Sequence, residues 1–319
     1  MGRHAAIQVE SVYGTVPTMD STAQVFELLS ETMALTRSHE TIGTIREPGI
    51  QQINVLTESV GGEIVIAGNY NGIGFLLENL YGSVTTSGAS SPYTHLFPPA
   101  TGIALNRTGV SFSMEVSRGD ATRTSRYGGC KVTSYGFSAS VDQSPQLTFG
   151  IMGKNEATGT AIDPSPAGLN MWDDWRPMKV QDITFSLASV SDLIVRSIDL
   201  NATYGVDEPH GMGASAFAAE PIDNTNFAVE GSAEVIMANT TEYAKYITGT
   251  ALAIDVGCND STHSILHEMD GAVLTAASWN MDGRERVIAN YEWQCQWAAV
   301  ATNVMRTTLV NNVATLPPV

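Results

Sequence analysis

Few residues in this 319-residue chain are spaced as catalysis would require. In NGIGFLLE, Gly72 and Gly74 could open a dinucleotide-binding turn, where bare backbone approaches a pyrophosphate. The third glycine of that fingerprint falls on Leu77 and no βαβ series follows, so helix entry and packing is the better reading. His263 and His267, four apart in HSILHE, would share one face of a helix or a strand, as paired metal ligands do. A zinc-hydrolase helix needs Glu directly after the first His, where Ser264 stands, and a third ligand is lacking, so ordinary histidines in a strand fit better. Asp173-Asp174 and Asp255 with Asp260 have the chemistry for a weak divalent-cation site, but solvated loop carboxylates are the simpler reading. Cys130, in YGGCKV, lies in a strand pattern with no His nearby in sequence, and neither a GxSxG elbow nor a GxxxxGK[ST] phosphate loop occurs. No catalytic, cofactor-binding or metal-ligating residue is assigned, no cofactor is expected, and the chain reads as a non-enzyme.

The elements that would position any chemistry come from an unusual composition. Hydrophobic residues make up 43% of the chain, ample for sizeable cores, while charged residues make up only 15%, against roughly 25% in ordinary soluble chains. A surface so poor in charge is suited to burial between subunits. A monomeric β-protein with a Thr/Ser-rich skin is the alternative. The 16 basic and 33 acidic residues give a net charge of −17. With no basic run, such a surface repels nucleic acid, so DNA is not expected as a tightly held ligand. Three cysteines without CxxC spacing suit a reducing compartment. The N-terminus MGRHAAIQVE lacks a signal-peptide core and no stretch is long and apolar enough for a membrane span, so assembly in cytoplasm without a membrane is expected.

Residues 1–45 read as an N-terminal arm. Its run VFELLSETMAL fits both the helical and the strand period, and the alternation of Val25, Leu29, Met33 and Leu35 favours strand. From residue 46 to 155 the pattern predicts a β domain. IQQINVLTES and GGEIVIAG read as strands broken by a Gly-Gly turn. Ile73, Leu76, Leu77 and Leu80 then predict a short helix closed by Gly82, and SFSMEV, SYGFSASV and QLTFGIMG alternate as half-buried antiparallel strands. Residues 156–179 read as a connector rich in Gly, Pro and Asp, carrying Trp172 and Trp175. An aromatic pair in a polar loop is stabilised by docking, on this subunit or on a neighbour.

The order of elements then recurs over 180–319. VEGSAEVIMA reads as a strand, NTTEYAKYITG as a short helix capped by Asn239 or Thr240 and Gly249, and ALAIDV, ILHEMDGAVLTAASW and ERVIANYEWQCQWAAV as further strands. Aligning Gly62 with Gly231, or Val132 with Val287, gives an offset near half the chain. Two similar β domains, each with one short helix, are expected.

The run VESVYGTVP, the segment INVLTESVGGEIVIAGNYNGIGFLLENLYG, the THLFPP stretch and the series SFSMEV, YGGCKVTSYGFSASV and LTFGIMG together resemble the major tail tube proteins of long-tailed bacteriophages. The resemblance covers about residues 8–155 and, more loosely, the second half. It implies a mainly β fold of two tail-tube-type β-sandwich, barrel-forming domains, each flanked by a short helix. It further implies rings that stack into a virion tail tube conducting DNA without tight binding, with partners in a tape-measure protein and in terminator and baseplate proteins. Two domains per chain would let three chains supply the six of a ring, a trimeric ring with pseudo-sixfold symmetry; a hexamer is the alternative. The polar partners of the apolar strand faces, Glu63, Glu115, Glu230, Glu234 and Glu292, are candidates for the channel wall, with outer solvent as the other place for them. Trp172 and Trp175 are candidate inter-subunit contacts. Another virion component, such as a tail completion, baseplate hub or capsid-decorating protein, and a carbohydrate-binding β-sandwich using Trp172, Trp175 and Trp279 are the rival readings.

Overall fold

The computed structural model describes residues 4–17, 19, 23–43, 49, 52–97, 111–119, 123–158, 176–188, 190, 194–211, 217, 219–236, 241–280, 287–296, 304–314 and 316. The fold is mainly β. Strands β1 His4–Val9, β2 Gln24–Glu31, β3 Ala34–Ile42 and β4 Gln52–Ala67 precede helix α1, Gly74–Tyr81. Strands β5 Thr85–Ser87, β6 Tyr93–Phe97, β7 Phe112–Ser117, β8 Thr124–Ser140, β9 Gln143–Gly153 and β10 Asn155–Thr158 follow. The second half holds β11 Ile183–Leu187, β12 Ile194–Asp207 and β13 Ile222–Ile236. Helix α2, Thr241–Thr248, then leads to β14 Leu252–Asn259, β15 Ser264–Asn280, β16 Ile288–Cys295 and β17 Arg306–Asn311.

One long antiparallel sheet runs β4–β9–β8–β12–β13–β16–β15, with β2 and β3 sharing the outer side of β4. The period-2 alternation of these strands makes the sheet two-faced. Ile64, Phe149, Tyr135, Leu200, Val229 and Trp293 point to one side and are buried. Against that face stand two further layers, β2–β1–β7–β8–β10 and β11–β14–β15–β17–β6–β5. β8 and β15, each 17 residues long, serve two layers apiece.

The halves are built into one another. Ser134–Ser140 of β8 pair with Ser197–Thr203 of β12, so the long sheet passes from the first half into the second without a break. β6, from the first half, pairs with the C-terminal β17, and one apolar core spans both halves. Residues 4–42, expected to lead in as an arm, supply three strands, with Ala5, Ala6 and Ile7 fully buried. The segment expected as a connector begins with strand β10 and ends with Met178 buried, its N–H bonded to the Gly68 carbonyl at 2.9 Å.

Helix α1 forms where the apolar spacing placed it, burying Leu76, Leu77 and Leu80. Gly82 closes it in the left-handed region at φ 79°, its N–H reaching the Glu78 carbonyl at 2.7 Å. Gly249 closes α2 in the same way at φ 61°; Asn239 and Thr240 lie outside the described residues. The Gly-Gly turn expected at 61–62 is not a turn. Both glycines lie inside β4, and a Cβ on Gly62 would stand 2.7 Å from the Met33 backbone, so close strand approach explains the residue. Gly231 is its counterpart in β13, where a Cβ would overlap the Trp293 indole.

The topology corrects the second alignment made from sequence. Gly62 pairs with Ile151 of β9 and Ile151 with Val132 of β8; Gly231 pairs with Trp293 of β16 and Trp293 with Leu274 of β15. A bulge follows in both places, between Val132 and Ser134 and between Leu274 and Ala276. Val132 therefore corresponds to Leu274, not to Val287. The offset shrinks after the helices because β5 and β6 stand between α1 and β7, while α2 runs almost directly into β14.

Candidate functional site

The second face of the long sheet is polar and concave. Its strands present small hydroxylated and amide side chains, among them Ser134, Ser138, Thr148, Asn201, Ser232 and Gln294, around a concavity of about 760 Å³. Glu63 on β4, Asp199 on β12, Glu230 on β13 and Glu292 on β16 line the same concavity, and all four are exposed. Their positions follow from register. Asp199 is opposite Ser232, and Ser232 is opposite Glu292, while Glu230 is opposite Asn201 on one side and Gln294 on the other. Glu63 is opposite Gly150, which is opposite Ser134. No two of these four acids are directly opposed, which avoids the closest like-charge contact of a β-ladder. Asp199 and Glu292 instead oppose Ser232 from either side, and Glu230 is diagonal to both acids, at the roughly 7–8 Å spacing of such neighbours.

Among the described residues none of these four carboxylates is in an ion pair. Partial burial in the concavity raises the Asp199 carboxyl above its ordinary value. The result is a wall of negative charge set among hydroxyls and amides.

The sequence candidates divide on this surface. Glu63, Glu230 and Glu292 lie on the concave face without cations. Glu234 is on the same face of β13, but Arg196 holds its carboxylate at 2.8 Å. Glu115 does not belong to the set: it is fully buried on β7 and ion-paired with Arg126 of β8. It alternates as an outward-facing residue would, but β7 lies between β1 and β8 with both of its faces covered, and all six of its residues are buried. Trp172, Trp175 and the Asp173-Asp174 pair lie outside the described residues. Trp279 is 44% exposed at the edge of β15, edge-to-face with Tyr243 of α2 at 4.4 Å. Asp199 was missed, although Ser197, Asp199, Asn201 and Thr203 alternate with Ile198, Leu200, Ala202 and Tyr204 in the plain period of a two-faced strand.

His95, His263 and His267 are held in the core by hydrogen bonds. The Tyr135 hydroxyl meets His267 Nε2 at 3.0 Å, His267 Nδ1 meets Thr307 Oγ1 at 2.8 Å, and Thr307 Oγ1 meets the Tyr81 hydroxyl at 2.8 Å. This chain of polar groups crosses the core between the halves. Burial lowers His267 to about 3, so the ring is neutral. His263 is buried between Asp260 and Asn312, and His95 between Thr86 and Asn311. Among the described residues no group of three or more His, Cys, Asp or Glu side chains is arranged to hold a metal, and no helix is long and apolar enough to cross a membrane.

The sequence model of the phage tail tube protein family matches residues 2–295 of the chain. The chain belongs to the phage tail tube protein family. As a phage tail tube family member it is a structural protein of the virion tail, and its mainly β architecture, long antiparallel sheet and two short helices are the fold in which that membership is expressed. No curated protein matches the chain.

Proposed function

We propose that this tail tube family chain is the repeating unit of stacked rings, with the concave acidic face of its long sheet turned to the lumen through which DNA leaves. The observation that carries the reading is the β8–β12 pairing, which gives one chain a single sheet with an apolar and an acidic face. A sheet of this kind gains by closing on itself, because closure covers the edges that would otherwise aggregate. The two halves act as two tube-type domains, about residues 46–155 and 180–319, so that three chains make a ring of pseudo-sixfold symmetry. The role is passive and non-catalytic. Within a screening length of about 8 Å, Glu63, Asp199, Glu230 and Glu292 disfavour phosphate contact and lower friction on moving DNA.

On this reading the partners are further copies, a tape-measure protein and the terminator and baseplate proteins, with assembly in the host cytoplasm. Cryo-EM of the purified protein tests it. Stacked rings of three chains with the four carboxylates inside are expected; rings of six chains would overturn the stoichiometry, and dispersed monomers the tube. Charge reversal at the four acids is expected to leave assembly intact and to slow DNA ejection, and unchanged ejection would refute the role given to the charge.

A further inference from the structure

The fold contains its own template for the contact between copies. The strand correspondences above place Val132 with Leu274 and Ile151 with Trp293, each pair 142 residues apart. On the other flank, Leu200 of β12 is opposite Gly231, and the β3 register carried on through the Thr32–Glu63 bond puts Met33 opposite Gly62, so Met33 corresponds to Leu200. Both are buried, and the next residue on each strand, Ala34 and Asn201, faces the polar side.

The two strands that meet inside the chain, β8 and β12, therefore correspond to β15 and to the start of β3. Among the described residues both of these are unpaired edges. Among the described residues, 276–280 of β15 pair only with β16, because β14 and β17 end before that stretch, and 34–36 of β3 pair only with β4. Trp279 lies on the first edge and Leu29, 55% exposed, beside the second. Carrying the β8–β12 register across gives a definite partner for each residue. Gly136 opposite Asn201 becomes Ser278 opposite Ala34, and Phe137 opposite Leu200 becomes Trp279 opposite Met33.

We infer that residues 276–280 of one copy add, antiparallel, to residues 32–36 of a second copy, with Ser278 facing Ala34 and the Trp279 ring covering Met33. The inference rests on the ring reading above and names its joint. Using one edge against a different edge makes the contact heterologous, so copies add head to tail, into a ring where the rotation closes, rather than stopping at a dimer. The edge is guarded in the single chain. Glu31 accepts from the Met33 N–H at 3.1 Å and Tyr127 donates to the Met33 carbonyl at 3.0 Å, which leaves Leu35, whose backbone groups alternate away from β4, as the place where pairing begins.

The test is the double variant Ala34→Cys with Ser278→Cys. The Thr32 N–H bonds Glu63, so Thr32 and Ala34 turn their backbone groups to β4. Ala34 and Ser278 would thus face each other as a non-hydrogen-bonded pair, whose Cα separation of about 4.5 Å suits a disulfide. Mild oxidation of assembled protein should turn the monomer band on a non-reducing gel into a ladder whose last rung counts the ring, collapsing on reduction, while wild type, with its three native cysteines, stays monomeric. Equal mixtures of the two single variants should stop at dimer, which also covers a double variant that folds poorly. Rings by negative stain without cross-links would overturn this joint and leave the tube reading standing; the absence of both rings and cross-links would overturn the two together.

Discussion

The Tyr135 hydroxyl lies 3.0 Å from His267 Nε2, a contact between β8 and β15 across 132 residues of sequence. It is fully buried, and it ties the strand that makes the inner joint to the strand that carries the free edge. Tyr135→Phe leaves the imidazole nitrogen without that partner. A loss of about 1–3 kcal/mol is expected in urea unfolding, with assembly unchanged wherever the protein remains folded.

Acid should weaken the fold through the same imidazole. His267 titrates at about 3 when folded against 6.5 for a free histidine, so the unfolded chain binds the proton first. The stability its neutral form contributes is present above 6.5 and lost as pH falls towards 3, at most about 5 kcal/mol given about 1.4 kcal/mol per unit. Melting temperatures of His267→Gln across that window should show a flatter acid limb.

Glu78 runs the other way. Burial on α1 lifts its carboxyl from 4.5 to about 7, so its protonated form favours the fold below 4.5, and that contribution is lost as pH rises through 7. Because the side chain is partly exposed, Glu78→Gln should gain only about 1 kcal/mol near pH 8; calorimetry at both ends of the range would show the difference.

Gly62→Ala and Gly231→Ala should each destabilise by about 2–3 kcal/mol, since the added methyl meets backbone at Met33 in one case and the Trp293 ring in the other. Equal losses in thermal unfolding would express the correspondence of the two positions. A neutral result at either would remove the close-approach explanation there.

The carboxylates should separate by stability. Glu63→Gln, Glu230→Gln and Glu292→Gln are expected within about 0.5 kcal/mol of wild type, as for exposed surface changes. Glu115→Gln discharges one side of a buried pair with Arg126 and should cost about 3 kcal/mol or more. Chemical denaturation of the four variants provides the comparison.

Much of this fold was readable in the sequence because alternation and glycine caps are local. The helix over 74–81, the strands at 112–117, 143–153 and 288–295 and the cap at Gly82 all follow from spacing within a dozen residues. What escaped was decided by distant partners. Gly61 and Gly62 look like a turn until Met33 approaches them. Glu115 looks like a surface residue because nothing within the strand itself reports that both faces of β7 will be buried. Strand β12 was passed over although it alternates, and with it went Asp199 and the joint between the halves. No local signal reports that Ser134–Ser140 will pair with residues more than fifty positions on.

The β8–β12 joint also sets how this protein responds to dilution. Its two strands share one backbone, so they meet at an effective concentration fixed by the intervening chain, on the order of millimolar for a short flexible linker, whatever the amount of protein present. A joint between copies, by contrast, weakens as protein is withdrawn. Half the seams of a ring built from this chain would then be insensitive to concentration, and an assembly coming apart would divide only at the other half.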